Sequence, residues 1–255
     1  MIISHEYRYV FIECPLTASW AIRHELCKHY GGTPVLHKHA SFAEFSQAAA
    51  PDELSYFVFA TVRNPLDVIV SRYCKIKTDH RNIFSNPERL ETLKVDYADL
   101  KKHEFIRKSN ANFEDYFRKY YKRPFSSLID ISSSRYDFVI RYECLQEDFS
   151  EVLRLLGIQQ VSPVPILNKT NEKKERWETY YTKDIIDQAK KICGPFMEKW
   201  GYDFPPEWGD YKTSLSSKLE YYLVSQIRNY YLLKLRYSNT VLARNLKLMR
   251  AKLVD

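Results

Sequence analysis

Residues 56–62 (YFVFATV) are apolar almost without a break, and Arg63-Asn64-Pro65 closes the run. A strand with one wet face alternates apolar and polar residues. A short unbroken run of aromatic and β-branched residues instead suits a strand covered on both faces, as inside a parallel sheet. Pro65 ends the strand and presets the backbone for a helix start, so a helix is predicted from Leu66 to about Lys75. Parallel neighbours need a crossover, usually helical, and the rest of the chain supplies the parts. Residues 7–14 (YRYVFIEC), 33–36 and 137–142 (DFVIRY) read as strands. Helices are predicted at 20–30, with Ser19 as cap and Gly31-Gly32 as stop, and at 41–50, 147–156 and 182–200. Residues 79–135 read as polar, lysine-rich and helical with loops, and 159–180 as a polar loop. The expected fold class is α/β, a central parallel sheet flanked by helices.

Composition narrows the function. Of 255 residues, 45% are apolar and 28% charged, which excludes wholesale disorder, and no apolar run is long enough to span a membrane. Only six glycines are present, which leaves little room for a glycine-rich phosphate loop. The net charge of +7 is local: residues 211–255 hold nine Lys/Arg and two acids, and the other 210 residues hold 30 of each. Five cysteines, widely spaced and without C-x-x-C, fit neither a zinc site nor a disulfide framework. With no basic leader or apolar signal segment at the N-terminus, the expected location is cytoplasmic, with peripheral membrane contact through the basic tail as an addition.

Two strand–turn–helix units have the chemistry for an anion. In residues 11–26 (FIECPLTASWAIRHEL), the free N–H groups of the helix start lie beside the Thr17 and Ser19 hydroxyls. Taken alone, the segment reads first as a plain capped helix after a strand. The segment lacks the glycines and Gly-Lys-Ser/Thr of a Walker loop. In residues 57–73 (FVFATVRNPLDVIVSRY), Arg63 stands at the carboxyl end of a buried strand, where α/β sheets bind ligands, and Ser71 follows on the helix. An Arg fork plus a hydroxyl suits a phosphate dianion; pairing of Arg63 with Asp67 is the structural alternative.

The block R-N-P-x-D-x-x-V-S-x-Y resembles the 3′-phosphate motif of the sulfotransferases that use 3′-phosphoadenosine 5′-phosphosulfate. Other pieces follow in the family's order over about residues 7–204. PLTASWAI resembles the 5′-phosphosulfate loop, His37-Lys38-His39 stands where cytosolic members have Lys-Thr-His, and Tyr142-Glu143-x-Leu145-x-x-Asp148 resembles a late Y-E-x-L-x-x-D. The closing segment TYYTKDIIDQAKKICGPFMEKWGYDF is similar to the family's last helix and G-Y pair. The resemblance implies a P-loop-like sulfotransferase fold over 1–208; the charge and apolar spacing of 209–255 read as a basic amphipathic helical extension.

It also implies roles. Arg63 and Ser71 would hold the 3′-phosphate, and Thr17, Ala18 and Ser19, with Trp20 in the same loop, the 5′-phosphosulfate. Tyr142 would lie near the nucleotide, and Lys169 and Thr170 would stand for a third, basic nucleotide loop. Lys173 and Lys174 beside them read as a solvated charge run. His39 would be the base, with Lys38 or His37 as the cation. The implied donor is 3′-phosphoadenosine 5′-phosphosulfate, its product adenosine 3′,5′-bisphosphate, with no metal. The implied acceptor is a hydroxyl, on a glycan or another small molecule, and no nucleic acid is implied.

The family's loop lysine is Leu16 here, and its later Thr and small residue are Trp20 and Ala21. A catalytically silent nucleotide- or glycan-binding protein of the same fold therefore stands as the alternative. A kinase is opposed by the missing Walker lysine and the missing paired metal-binding carboxylates. In the tail, Leu219, Tyr222, Leu223, Ile227, Tyr230 and Tyr231 keep helical spacing, and 244–253 repeats it. That pattern fits a helix packed on its own domain, a self-association face, or a helix on an anionic membrane.

Overall fold

The computed structural model describes residues 1–92, 97–130, 135–167, 169–170, 172–174 and 176–230. In chain order the elements are β1 (Ile2–Ser4), β2 (Tyr9–Ile12), α1 (Ser19–His29), β3 (Thr33–Pro34), α2 (Phe42–Phe45) and β4 (Phe57–Val62). They continue with α3 (Pro65–Lys77), α4 (Pro87–Thr92), α5 (Tyr97–Ser109), α6 (Phe113–Tyr120), β5 (Phe138–Arg141), α7 (Leu145–Leu155), α8 (Lys183–Trp200) and α9 (Leu215–Tyr230). Contacts group the chain into two compact units, Met1–Asn64 with Ser126–Lys169, and Pro65–Phe125 with the chain from Thr170 onward.

The first unit holds the sheet, in the order β3-β1-β2-β4-β5. β2, β4 and β5 are parallel, with Phe11 beside Phe59 and Thr61 beside Ile140. The sheet is mixed rather than wholly parallel, because β1 pairs antiparallel with both β2 and β3. Neither β1 nor its pairing was expected from sequence: three residues are too few to show a period. β4 behaves as its composition requires, with Val58, Phe59, Ala60 and Thr61 fully buried. Tyr9, Phe11, Phe59 and Ile140 form one core with Ala21, Ile22 and Leu26 of α1 and Phe149, Val152 and Leu153 of α7. The class is therefore α/β, parallel strands flanked by helices.

The second unit is helical and aromatic. Leu66, Ile69, Val70 and Tyr73 of α3 pack with Phe113, Tyr116 and Phe117 of α6, with Ile185, Ala189 and Cys193 of α8, and with Tyr181 and Trp208. Arg72 Nη2 donates to both oxygens of Asp99 at 2.7 Å, tying α3 to α5. The expected helix at 41–50 is only one turn, Phe42–Phe45, closed by a Ser41–Glu44 capping box. The tail pattern at 244–253 lies outside the described residues.

Candidate functional site

Because β2, β4 and β5 are parallel neighbours, the segments that follow them leave the sheet on one edge, its carboxyl edge. Those segments are 13–18, Arg63-Asn64 and Tyr142–Cys144, and they carry Thr17, Ala18, Arg63 and Tyr142 of the expected site.

The first loop is tightly wound. Leu16 and Ala18 both have left-handed backbones, φ 65° and 58°, a conformation that L side chains oppose by roughly 1–2 kcal/mol per residue. Thr17 locks the turn: its Oγ1 donates to Cys14 O at 2.7 Å. Its single proton is then used, so Thr61 of β4 is the donor across the 2.5 Å contact between the two hydroxyls. Ser19 is not the cap that its position suggests. It is the first residue of α1, the cap residue is Ala18, and no side chain caps the helix. A hydroxyl cannot cap at Ala18, and its left-handed backbone turns the chain directly into the helix. No side chain therefore competes for the N–H groups of Ser19 and Trp20, while the Ala21 N–H donates to Ala18 O at 2.9 Å.

Arg63 is 8% exposed. Its Nη1 donates to Leu16 O at 2.9 Å, and its guanidinium lies 3.8 Å from the centre of the Tyr142 ring. One side chain thus joins all three loops of the carboxyl edge. The neighbouring Asn64 N–H donates to Glu143 Oε1 at 2.9 Å, and Arg141 N–H donates to Asp148 Oδ2 at 2.6 Å. The Tyr-Glu-x-Leu-x-x-Asp segment is in this way a set of backbone clamps. The clamping role of Glu143 was not anticipated, because its target is 79 residues away.

Asp67 forms an ion pair with Lys173. Lys173 is accordingly no member of a solvated run; its side chain is 14% exposed, while Lys174 is exposed beside Tyr180. Ser71 is fully buried on α3, and its Oγ has no hydrogen-bond partner. A buried hydroxyl left unmatched costs about 1–3 kcal/mol, and a phosphate oxygen would satisfy it. Lys169 is exposed and Thr170 half-buried.

The three expected catalytic residues occupy different settings. His39 donates from Nδ1 to the Glu13 carbonyl at 2.7 Å, since a carbonyl only accepts. The neutral ring then keeps its lone pair on Nε2. Burial pushes the His39 pKa below 6.5, against the Glu13 bond that raises it, and Lys38 lowers it further. Glu13 itself is fully buried, and its Oε2 accepts from Arg23 Nη1 at 2.8 Å. His37 Nε2 meets Glu44 Oε1 at 2.9 Å. Burial works to raise the Glu44 carboxyl, but Ser41 and His37 outweigh it and leave the pKa below its ordinary value.

Lys38 is the unexpected placement. Its Nζ lies 4.6 Å from the centre of the Trp20 ring, with the Arg23 guanidinium 5.9 Å from the same ring. Trp20 is 44% exposed at the second position of α1. A cation is therefore held at the helix start that carries no lysine of its own, because Leu16 replaces it.

Fold and site together define an α/β protein in which Thr17, Arg63 and Tyr142 gather at the carboxyl edge of the parallel strands. The profile of the sulfotransferase family matches residues 6–204, and the chain belongs to that family of transferases. No curated protein and no solved structure matches the chain.

Proposed function

We propose that this protein transfers a sulfuryl group from 3′-phosphoadenosine 5′-phosphosulfate to a hydroxyl of a carbohydrate or small-molecule acceptor. The observation that carries the reading is the Arg63 clamp, which joins the Leu16 carbonyl and the Tyr142 ring at the edge where parallel strands end. When bound, the donor supplies an activated sulfuryl group; the chain supplies grip, charge and a base. Arg63 holds the 3′-phosphate, the role that the family's motif also gives to Ser71, whose hydroxyl is orphaned. Thr17, Ala18, Ser19 and Trp20 offer the uncapped start of α1 to the 5′-phosphosulfate. His39 takes the acceptor proton at Nε2 as the hydroxyl oxygen bonds to sulfur. Lys38, steadied on Trp20, neutralises charge developing on the oxygen that leaves with the bonding electrons. Positioned donors of this kind carry much of the rate in charge-separating transfers.

Leu16 keeps a second reading in play, a silent binder of the same ligand. Two measurements separate them: calorimetry with adenosine 3′,5′-bisphosphate, and transfer of labelled sulfate from the donor to a panel of hydroxyl acceptors. Binding together with transfer is the expected result. Binding without transfer to any acceptor selects the silent binder. Stabilisation by ATP with magnesium but not by the bisphosphate would overturn both.

A further inference from the structure

Helix α9 has two unlike sides. Ser217 and Tyr221, one turn apart, are buried, Tyr221 lies 5.7 Å from Lys199 Nζ of α8, and Lys218 Nζ meets Glu198 at 2.5 Å. These residues hold α9 on α8. Leu215, Leu219, Tyr222, Leu223, Ile227 and Tyr230 are instead between 50% and 84% exposed. At about 100° per residue, the six project within an arc of about 140°, centred roughly opposite the Ser217–Tyr221 line. A helix that only covered its own unit would turn its apolar side inward. This one turns a continuous apolar row outward, and such a row marks a surface that something else covers.

Charge selects the occupant. The segment 211–255 carries nine Lys/Arg against two acids, while the rest of the chain is neutral, and Lys234, Arg236, Arg244, Lys247, Arg250 and Lys252 follow α9 directly. A two-fold contact with a second copy would set two such segments side by side, since an isologous interface brings the same patch of both copies together. A nucleic acid would match the charge and leave the six apolar side chains without a place. An anionic bilayer surface matches both features.

We propose that the outward face of α9 lies on an anionic lipid surface, with Leu215, Leu219, Leu223 and Ile227 entering the headgroup–acyl boundary. Tyr222 and Tyr230 sit at headgroup level with their rings inward and hydroxyls wet. The net positive charge of the sequence 211–255 favours the lipid phosphates and carboxylates of such a surface. Among the described residues no helix is long and apolar enough to cross a membrane, so the contact is with the surface.

The test is co-sedimentation of the full chain with vesicles of pure phosphatidylcholine, and with vesicles in which about 30% is phosphatidylserine. A double variant, Leu219→Asp with Ile227→Asp, is run in parallel; both positions are exposed, so its thermal midpoint should match wild type. Binding to the anionic vesicles is expected to be at least tenfold tighter, about tenfold weaker in the double variant, and weaker again at roughly 0.5 M salt. Equal binding to neutral vesicles, or binding to neither, overturns the proposal. So does a double variant that sediments like wild type, because charge alone would then suffice. A wild-type dimer that the double variant dissociates, without vesicle binding, would assign the face to self-association instead.

Discussion

Replacing Arg63 by alanine removes one side chain that serves two purposes, and the structure separates their magnitudes. Within the fold, Arg63 gives a charged donor to Leu16 O at 2.9 Å and a cation over the Tyr142 ring at 3.8 Å. Both contacts are largely shielded, since Arg63 is 8% exposed. Losing them is expected to lower stability by about 1–3 kcal/mol, small enough for the chain to remain folded. Toward the ligand, losing a charge-assisted contact between the guanidinium and a phosphate costs about 2–4 kcal/mol. That is roughly a 30- to 800-fold rise in Kd for adenosine 3′,5′-bisphosphate. Urea unfolding measures the first quantity and titration calorimetry the second. Arg63→Lys keeps the charge without the fork, so its affinity should fall between wild type and Arg63→Ala. An Arg63→Ala protein that unfolds cooperatively yet binds within about twofold of wild type would refute the assignment of Arg63 to the phosphate.

Trp20→Ala and Lys38→Ala should each slow single-turnover transfer, by roughly 10²–10³ for Lys38, while leaving bisphosphate affinity nearly unchanged; full activity in Lys38→Ala would dismiss that cation, and Leu16→Lys should rescue it if the reasoning holds. The acidic limb of kcat/KM should fall below pH 6.5, because burial lowers the His39 pKa and the neutral ring is the base; a limb at or above 6.5 that survives in His39→Ala would assign it elsewhere. The same shift makes the His39 contribution to stability complete above the unfolded value of 6.5, and lost as pH falls through the lower folded value. Gly32→Ala should destabilise by about 1–3 kcal/mol, since the added Cβ would stand 2.9 Å from the Leu26 carbonyl and 2.8 Å from Ile2 Cγ2; an unchanged urea midpoint would show that the end of α1 can shift.

Much of the fold was legible along the chain because its signals are local. A buried parallel strand must be apolar on both faces, so 56–62 was legible as β4, and Asn64-Pro65 marked the turn before α3. The order of the motifs likewise pointed to a family whose profile spans residues 6–204. Strand β1 was not legible, because three residues carry no period and are strand only by pairing with β2 and β3. Whether Asp67 pairs at Lys173, whether Ser19 caps α1, and whether anything replaces a lysine at position 16 are questions of approach between residues far apart in sequence. The structure answers the first two with the Lys173 ion pair and the left-handed Ala18. For the third it sets Lys38 over Trp20, a contact across 18 residues that no spacing rule contains. Periodicity records which face a segment buries; which charge meets which ring is decided only when the carboxyl edge of the sheet gathers its loops.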